Sequence, residues 1–183
     1  MKVMIISDIH GSITRLEQVI QKYNEEKAEK LLILGDFPNY NNSIYNFAIA
    51  EILNEMSDEI IAVRGNCDGF EIEDLFDFKL EDIRNIEING ISMTMTHGHL
   101  YNKNNLPQNC GKIFLQGHSH CAEITQIEDK IIANPGSISL PRSGSDPTYI
   151  ILDEEKITLK NLYGEILQEM EIKNYLLKCN IML

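Results

Sequence analysis

The sequence predicts an α/β fold in which two packed β-sheets carry helices on their outer faces. Its first half alternates short apolar runs with amphipathic segments, as expected for helix-linked strands. Its second half contains mainly short β-rich runs that are separated by turn residues. No internal repeat, linker or low-complexity stretch interrupts the 183 residues, so we expect a single domain over residues 1–183 with a substantial core.

The first half follows the order strand, helix, strand, helix, strand. The three strands are predicted at residues 2–7, 31–34 and 60–63. The first helix is predicted to begin after a cap at Ser12, with apolar positions Leu16, Val19, Ile20 and Tyr23, and the second has apolar positions Ile44, Phe47, Ala48, Ile52 and Met56. This alternation predicts parallel pairing of the three strands through right-handed crossovers.

The pattern changes after about residue 84. Residues 91–96 alternate strictly between two kinds of side chain, which is typical of a strand with two unlike faces. Further strands are predicted at residues 112–116, 122–127, 130–133 and 149–152, and two more between residue 156 and about residue 172. The apolar tail at residues 174–183 receives no assignment.

Composition limits the classes of partner. A net charge of −12 argues against duplex nucleic acid and anionic membranes, although bound cations could still attract an anionic substrate. No apolar run approaches the ~20 residues that a membrane span needs, and the first apolar run meets Asp8 too early for a signal peptide. We therefore expect a cytoplasmic protein whose four cysteines are free thiols.

Five short polar motifs each follow a predicted strand, and three of them contain all five histidines. The five motifs are Asp8-Ile9-His10, Gly35-Asp36, Gly65-Asn66-Cys67-Asp68, His97-Gly98-His99 and Gly117-His118-Ser119-His120. The carboxyl ends of neighbouring parallel strands converge on one crevice, where ligands bind. The side chains of Asp8, His10, Asp36 and Asn66 should therefore meet in space.

The combined set of side chains predicts a dinuclear metal site. Its seven members are Asp8, His10, Asp36, Asn66, His97, His118 and His120. Imidazole, carboxylate and amide ligands in this number exceed one tetrahedral site and suit two divalent ions that share a carboxylate. Taken singly, each motif has an ordinary explanation, such as a helix cap or a turn residue, but their coincidence favours metal. Two divalent ions, two carboxylates and a hydroxide leave a residual positive charge, which favours a phosphate ester as substrate.

The ordered motifs resemble the calcineurin-like metallophosphoesterases. Asn134-Pro135-Gly136-Ser137, after the last histidine, narrows the resemblance to the small single-domain phosphodiesterase branch of YfcE type, which is related to the small subunit of the retromer complex. The resemblance runs from Val3 to about Asp153. It implies a four-layer α/β/β/α sandwich of two mixed β-sheets flanked by helices. It also implies two divalent metal ions per chain, with manganese favoured over zinc, iron or nickel.

The resemblance also assigns roles to the ligands. It implies that Asp8, His10, Asp36 and His120 hold the first metal, that Asp36 bridges, and that Asn66, His97 and His118 complete the second. It implies a phosphodiesterase in which a bridging hydroxide attacks a small-molecule phosphodiester. It is also compatible with assembly of the chain into a homo-oligomer. The rival interpretation is a protein-interaction scaffold with a residual metal site, like the retromer small subunit. Retention of ligand chemistry at all seven positions favours the enzyme.

Several residues beside the motifs are further candidates. Besides Asn66, the catalytic candidates are Cys67 and His99. Cys67 stands where many members of the wider family carry a histidine, and it is either a proton donor or, as we favour, a small packing residue. His99 is expected to support the ligands rather than to bind metal. Arg64 and Arg142 flank motifs and are either phosphate contacts or solvated surface charges. Asp68 either orients a neighbour or, as we favour, caps the next helix.

Overall fold

Two mixed β-sheets pack against each other in the computed structural model, which describes residues 1–38 and 43–172. The strands are β1 (Val3–Ile6), β2 (Lys30–Ile33), β3 (Ile60–Val63), β4 (Leu80–Glu81), β5 (Ile83–Ile88), β6 (Ile91–Thr96), β7 (Ile113–Leu115), β8 (Glu123–Ile127), β9 (Lys130–Asn134), β10 (Thr148–Leu152), β11 (Lys156–Asn161) and β12 (Ile166–Glu171). The helices are α1 (Ile13–Glu26), α2 (Ser43–Asn54) and α3 (Phe70–Glu73), with a 3-10 turn at Ser57–Glu59. The two mixed sheets confirm the predicted α/β class.

Each sheet contains a group of parallel strands. The seven-stranded sheet has the order β12-β11-β10-β1-β2-β3-β4, and β1 to β4 are parallel, as predicted for the first three. The five-stranded sheet has the order β5-β6-β7-β9-β8, with β6, β7 and β9 parallel. The carboxyl ends of these parallel strands carry the five polar motifs, so the topology places the motifs at one end of the sandwich.

The core lies between the sheets. The inner face of the seven-stranded sheet contributes fully buried side chains such as Ile5 and Leu32, which belong to the same cluster as Met93 and Leu115 of the five-stranded sheet. Burial of each such side chain contributes about 1.5–3 kcal/mol to the free energy of unfolding. This apolar layer gives the loops at the strand ends a rigid base.

Helices α1 and α2 cover the outer face of the seven-stranded sheet. Ser12 is the N-cap residue of α1, as predicted, but its hydroxyl makes no capping hydrogen bond. The predicted phase of α2 is wrong at its start, because Ile44 and Phe47 are 74% and 57% exposed while Ile49 and Leu53 are buried. Apolar side chains lie almost all round α2, so their spacing did not define the buried face.

A segment of turns contacts the outer face of the five-stranded sheet. Residues 98–112, which lie wholly within the described range, contain no helix. The Gly111 N–H donates to Thr94 Oγ1 at 2.8 Å, and the Lys103 N–H donates to Gln116 Oε1 at 2.8 Å. Hydrogen bonds from backbone N–H groups of the turns to side chains of the sheet therefore hold this segment against the sheet.

The apolar tail at residues 174–183 lies outside the described residues. In the part of the chain that the structure describes, no helix is long and apolar enough to cross a membrane.

Candidate metal centre

Three polar side chains from two distant parts of the chain meet beyond the end of β1. Asp8 Oδ1 lies 3.1 Å from His120 Nε2 and 3.6 Å from His10 Nε2. The Nε2 atoms of the two histidines lie 3.3 Å apart. One oxygen and two nitrogens this close together could hold a single metal ion.

A second group surrounds the carboxylate of Asp36. Asp36 Oδ2 lies 3.3 Å from His97 Nε2, and Asn66 Oδ1 lies 3.1 Å from the same nitrogen. The same Asp36 oxygen is also 3.8 Å from His10 Nε2, which belongs to the first group. Asp36 therefore lies between the two groups.

Backbone carbonyls orient two of the imidazole rings. Leu34 O lies 2.6 Å from His97 Nδ1, and Leu140 O lies 2.7 Å from His120 Nδ1. A carbonyl accepts a hydrogen bond from the Nδ1–H, which directs Nε2 at the cluster and leaves it without a proton whenever the ring is neutral. Metal-binding histidines are typically held in this way.

The charges at the centre call for a cation. Burial alone would raise the pKa of Asp8, but the imidazoles of His10 and His120 beside it hold that pKa far below its ordinary value. Burial likewise opposes ionisation of Asp36, yet hydrogen bonding to His97 keeps the pKa of this carboxyl low. Two carboxylates are therefore ionised in a buried crevice, an arrangement that costs free energy unless cations neutralise it.

The ligand chemistry fits divalent metal ions. Asp8 Oδ1 is buried and accepts no well-aligned hydrogen bond from the residues that the structure describes, so one lone pair remains for a cation. Carboxylate oxygens and imidazole nitrogens together suit manganese, iron and zinc. The centre therefore has both the charge and the free donor atoms that such an ion requires.

The backbone is strained at five of the predicted ligands. The φ angles of Asp8, His10, Asp36, His118 and His120 are 58°, 44°, 59°, 63° and 59°. Positive φ is uncommon outside glycine and costs on the order of 1–3 kcal/mol at each position. Strain of this kind persists where side chains must be aimed at a common point, which is typical of functional sites.

Two of the predicted ligands lie at the exposed side of the centre. His118 is exposed, its N–H donates to Asp8 Oδ2 at 3.2 Å, and its ring centroid lies 5.1 Å from that of His97. Asn66 is also exposed. The structure therefore brings all seven predicted ligands to one crevice, with five of them largely or wholly buried and two at its opening.

The model of the calcineurin-like phosphoesterase superfamily domain matches residues 1–156. The chain belongs to this superfamily. This phosphoesterase is 35% identical to phosphodiesterase YfcE of Escherichia coli strain K12 over 167 residues, which cover 87% of this chain and 91% of YfcE. The structure of YfcE, described as a phosphoesterase, superposes with a TM-score of 0.87 at 31% identity, covering 94% of this chain and all of that chain. Vps29 of Entamoeba histolytica shares the fold, with a TM-score of 0.67 at 19% identity over 93% of this chain and 99% of that chain.

Cys67 of this phosphoesterase forms hydrogen bonds with Asp36, one of the proposed metal ligands. Its N–H donates to Asp36 Oδ1 at 2.8 Å, and its thiol donates to Asp36 Oδ2 at 2.9 Å. Cys67 Sγ, His10 and Asp36 lie close enough together to surround one ion. The thiol therefore helps to position the Asp36 carboxylate, which the sequence interpretation of Cys67 as a packing residue missed.

His99 lies beside the ligands and is half-buried. Its ring centroid lies 5.4 Å from that of His97 and 6.3 Å from that of His118. Burial lowers the pKa of His99, and the neighbouring imidazoles lower it further. Its Nδ1 has no hydrogen-bond partner among the described residues. The supporting role expected for His99 stays a prediction.

The two candidate phosphate-binding arginines differ in their surroundings. The Arg64 guanidinium forms an ion pair with Glu73, and it also donates to Asp82 Oδ1 at 2.9 Å and to Leu80 O at 3.1 Å. This geometry favours a structural role for Arg64 over phosphate binding. Arg142 has an exposed side chain, and its N–H donates to His120 O at 3.1 Å, so it stays a candidate beside the centre.

Sequence reasoning missed the residues that hold the ligand loops. Asp68 does not cap α3, whose N-cap is Gly69 without any side-chain bond; its carboxylate instead accepts three backbone N–H groups from Asp36, Phe37 and Gly65. The hydroxyls of Ser137 and Ser139 both donate to the Asp8 carbonyl, at 2.8 and 3.0 Å. The Asn134-Pro135-Gly136-Ser137 motif pointed to this region of the sequence, but it did not predict that the acceptor would be the Asp8 carbonyl.

Gly65 lets the loop after β3, which carries Asn66, approach Asp36 closely. A Cβ atom at this position would lie 2.1 Å from Asp36 Oδ1 and 2.4 Å from Asp36 N. We expect Gly65→Ala to displace the Asp36 carboxylate and to lower the free energy of unfolding by about 2–3 kcal/mol. Urea unfolding and manganese titration would measure both effects.

Gly90→Ala is the matched control for this prediction. A Cβ at Gly90 meets no atom within 4 Å, so that variant carries only the cost of its positive φ of 75°, about 1 kcal/mol. Equal losses of stability in the two variants, with equal manganese affinity, would contradict the role given to Gly65.

Proposed function

We propose that this phosphoesterase is a metal-dependent phosphodiesterase that uses two divalent metal ions. The observation that carries the proposal is the place of the Asp36 carboxylate, 3.8 Å from His10 Nε2 on one side and 3.3 Å from His97 Nε2 on the other. A carboxylate shared between two ligand groups is what a dinuclear site requires. The relative with 35% identity is named a phosphodiesterase, which supports the same reaction.

The proposed ligand sets follow the two groups. Asp8, His10, Asp36 and His120 would hold one ion, and Asp36, Asn66, His97 and His118 would hold the other. When bound, such ions polarise phosphoryl oxygens and lower the pKa of water to about 7. Manganese is our proposed ion, because mixed imidazole and carboxylate ligands suit it and the resemblance favours it.

The protein's own groups would orient the ions and the ester. The carbonyls of Leu34 and Leu140 keep the imidazoles of His97 and His120 directed inward, and the Cys67 thiol holds one oxygen of Asp36. Asn66 and His118 are exposed, so the substrate would approach from their side of the crevice.

Arg142 and His99 are our candidates for contacts with the substrate. The exposed Arg142 side chain is our remaining candidate for a charged phosphate contact. His99 is our candidate for a hydrogen bond to the ester or to its leaving group, since its half-buried ring lies beside those of His97 and His118.

The scaffold alternative has less support. A scaffold does not need its ligands, whereas here all seven lie at one crevice and five of them hold strained backbone angles. The likeness to Vps29 is one of fold, at 19% identity. We propose a small-molecule phosphodiester as the partner and the cytoplasm as the location, with the oligomeric state as a separate measurement.

Hydrolysis of bis-p-nitrophenyl phosphate would test the function. We expect turnover that depends on manganese, that exceeds turnover of p-nitrophenyl phosphate, and that disappears on chelation and returns when manganese is added back. Metal analysis of the same samples should find two ions per chain in the active state. A folded protein that binds metal but hydrolyses neither ester would contradict the proposal and favour the scaffold.

A further inference from the structure

A cavity of about 390 Å³ lies beside His118, on the outer side of the five-stranded sheet. Its floor is formed by residues that directly follow β6 and β7, among them Gly98 and Gln116. Its walls come from residues 102–104 and 121–123. Because His118 belongs both to the cavity lining and to the proposed metal ligands, the cavity opens next to the place where the phosphoryl group would bind.

The side chain of Gln116 gives the cavity floor an unused hydrogen-bond donor. Gln116 is only 5% exposed, and its Oε1 accepts the Lys103 N–H at 2.8 Å. Its Nε2 donates to no group among the residues that the structure describes. This amide nitrogen therefore reaches solvent in the cavity, where a ligand that supplies an acceptor oxygen would replace its contact with water.

The charges at the cavity wall cancel. Lys103 Nζ lies 2.7 and 2.9 Å from the two oxygens of Glu123, and both residues line the cavity. A second anionic group would meet Glu123, and a cationic group would compete with Lys103 for it. The lining therefore favours an uncharged group that can both donate and accept hydrogen bonds. Such a group could accept from the Lys103 ammonium and donate to the Glu123 carboxylate.

The residues at the cavity surface also disfavour a nucleobase. Bases that leave the helical stack are usually held between aromatic side chains. Among the described lining residues there is no phenylalanine, tyrosine or tryptophan. Amide and hydroxyl groups such as those of Asn102, Gln116 and Ser119 line the cavity instead, and they match a hydroxylated ligand.

We propose that this cavity is a specificity subsite that binds an uncharged, hydroxylated ester arm of the substrate, of glycerol or hexose type, through the Gln116 amide. The proposal rests on the proposed phosphodiesterase function and names the class of its substrate. The phosphoryl group would lie at the metal centre, and the arm would extend past His118 into the cavity.

The test compares p-nitrophenyl phosphodiesters that share one leaving group and differ in the other arm. The arms are methyl, glycerol, glucose (through its 6-hydroxyl) and thymidine (through its 5′-hydroxyl). We expect the wild-type protein, loaded with manganese, to show a higher kcat/KM for the glycerol or glucose diester than for the methyl diester. The thymidine diester should show no such preference.

Two variants of Gln116 assign the preference to its amide nitrogen. Gln116→Glu keeps an acceptor for the Lys103 N–H but lacks the amide donor, and Gln116→Met lacks both. We expect each to lower the ratio of kcat/KM for the hydroxylated diester over the methyl diester by about fivefold to tenfold. Gln126→Met is the control, because Gln126 is exposed and donates to Glu128 O away from the cavity; it should keep the wild-type ratio.

The outcomes separate this proposal from the proposed function. Hydrolysis of all four diesters with equal kcat/KM, or a preference that Gln116→Glu and Gln116→Met leave unchanged, would overturn the subsite alone. A thymidine preference that both variants reduce would overturn the hydroxylated arm in favour of a nucleoside. Absence of manganese-dependent turnover of every diester, the methyl one included, would overturn the function and the subsite together.

Discussion

Replacement of Asp36 by asparagine is expected to lower manganese-dependent diester hydrolysis by about 10³-fold, since loss of metal-based charge stabilisation is worth several kcal/mol. The Asp36 carboxylate faces both ligand groups, at 3.8 Å from His10 Nε2 and 3.3 Å from His97 Nε2. Asparagine keeps the shape of the side chain and one oxygen, but it removes the negative charge and one of the two oxygens. The centre should then bind one ion weakly or none.

The variant should stay folded, because Asp36 is held in place largely through its backbone. Its N–H donates to the carboxylate of Asp68, and its carbonyl accepts the His10 N–H at 3.0 Å. The measurements are initial rates with bis-p-nitrophenyl phosphate, metal content per chain and the urea midpoint. Asp58→Asn, at an exposed carboxylate in the 3-10 turn, should match the wild type in all three. A fully active Asp36→Asn protein that holds two ions would show that Asp36 does not bridge.

Much of the candidate site could be predicted because its physical cause is local. Asp8, Asp36 and Asn66 each follow a buried apolar strand, and parallel strands bring such positions to one edge of a sheet whatever the details of packing. His97 and His118 follow the parallel strands β6 and β7 for the same reason. The two sheets then face each other across one core, which brings the two sets of strand ends together.

The missed parts of the fold depend on contacts that have no periodic signal. Strands β4 and β5, Leu80–Glu81 and Ile83–Ile88, contain several charged side chains and gain order by pairing with β3 and β6. The buried face of α2 is selected by tertiary packing, since the helix is apolar almost all round. Residues 98–112 carry no regular pattern, so neither their turns nor the cavity that they help to form could be predicted.

The roles of individual charged residues were missed for a similar reason. Arg64 looked available for phosphate, but its partners Glu73 and Asp82 are 9 and 18 residues away, and no spacing rule links them. Asp68 looked like a helix cap, yet two of its three donors lie 31 and 32 residues earlier in the chain. Such long-range hydrogen bonds are visible only once the loops are placed together.

The second large effect is expected at Asp68, where replacement by alanine should lower the free energy of unfolding by about 3–5 kcal/mol. Its carboxylate is 4% exposed and accepts the N–H groups of Asp36, Phe37 and Gly65 at 2.8, 2.8 and 2.6 Å. Each buried N–H that loses its partner costs about 1–3 kcal/mol. Burial raises the pKa of Asp68 to about 6, although these three hydrogen bonds act to lower it. Burial therefore opposes ionisation of this carboxyl group, and the hydrogen bonds favour it.

Comparison with a milder variant identifies the cause of the loss. Asp68→Asn keeps one oxygen, so it can accept the two N–H groups that share Oδ2 but not the Phe37 N–H as well, and its stability should lie between alanine and wild type. Asp74→Ala, at an exposed carboxylate in the same part of the chain, should cost less than about 0.5 kcal/mol. Urea unfolding of the metal-free proteins gives the three values free of any contribution from metal binding. If Asp68→Ala were as stable as Asp74→Ala, the Asp36 loop would be held by other contacts, and the position of the proposed bridging carboxylate would need another explanation.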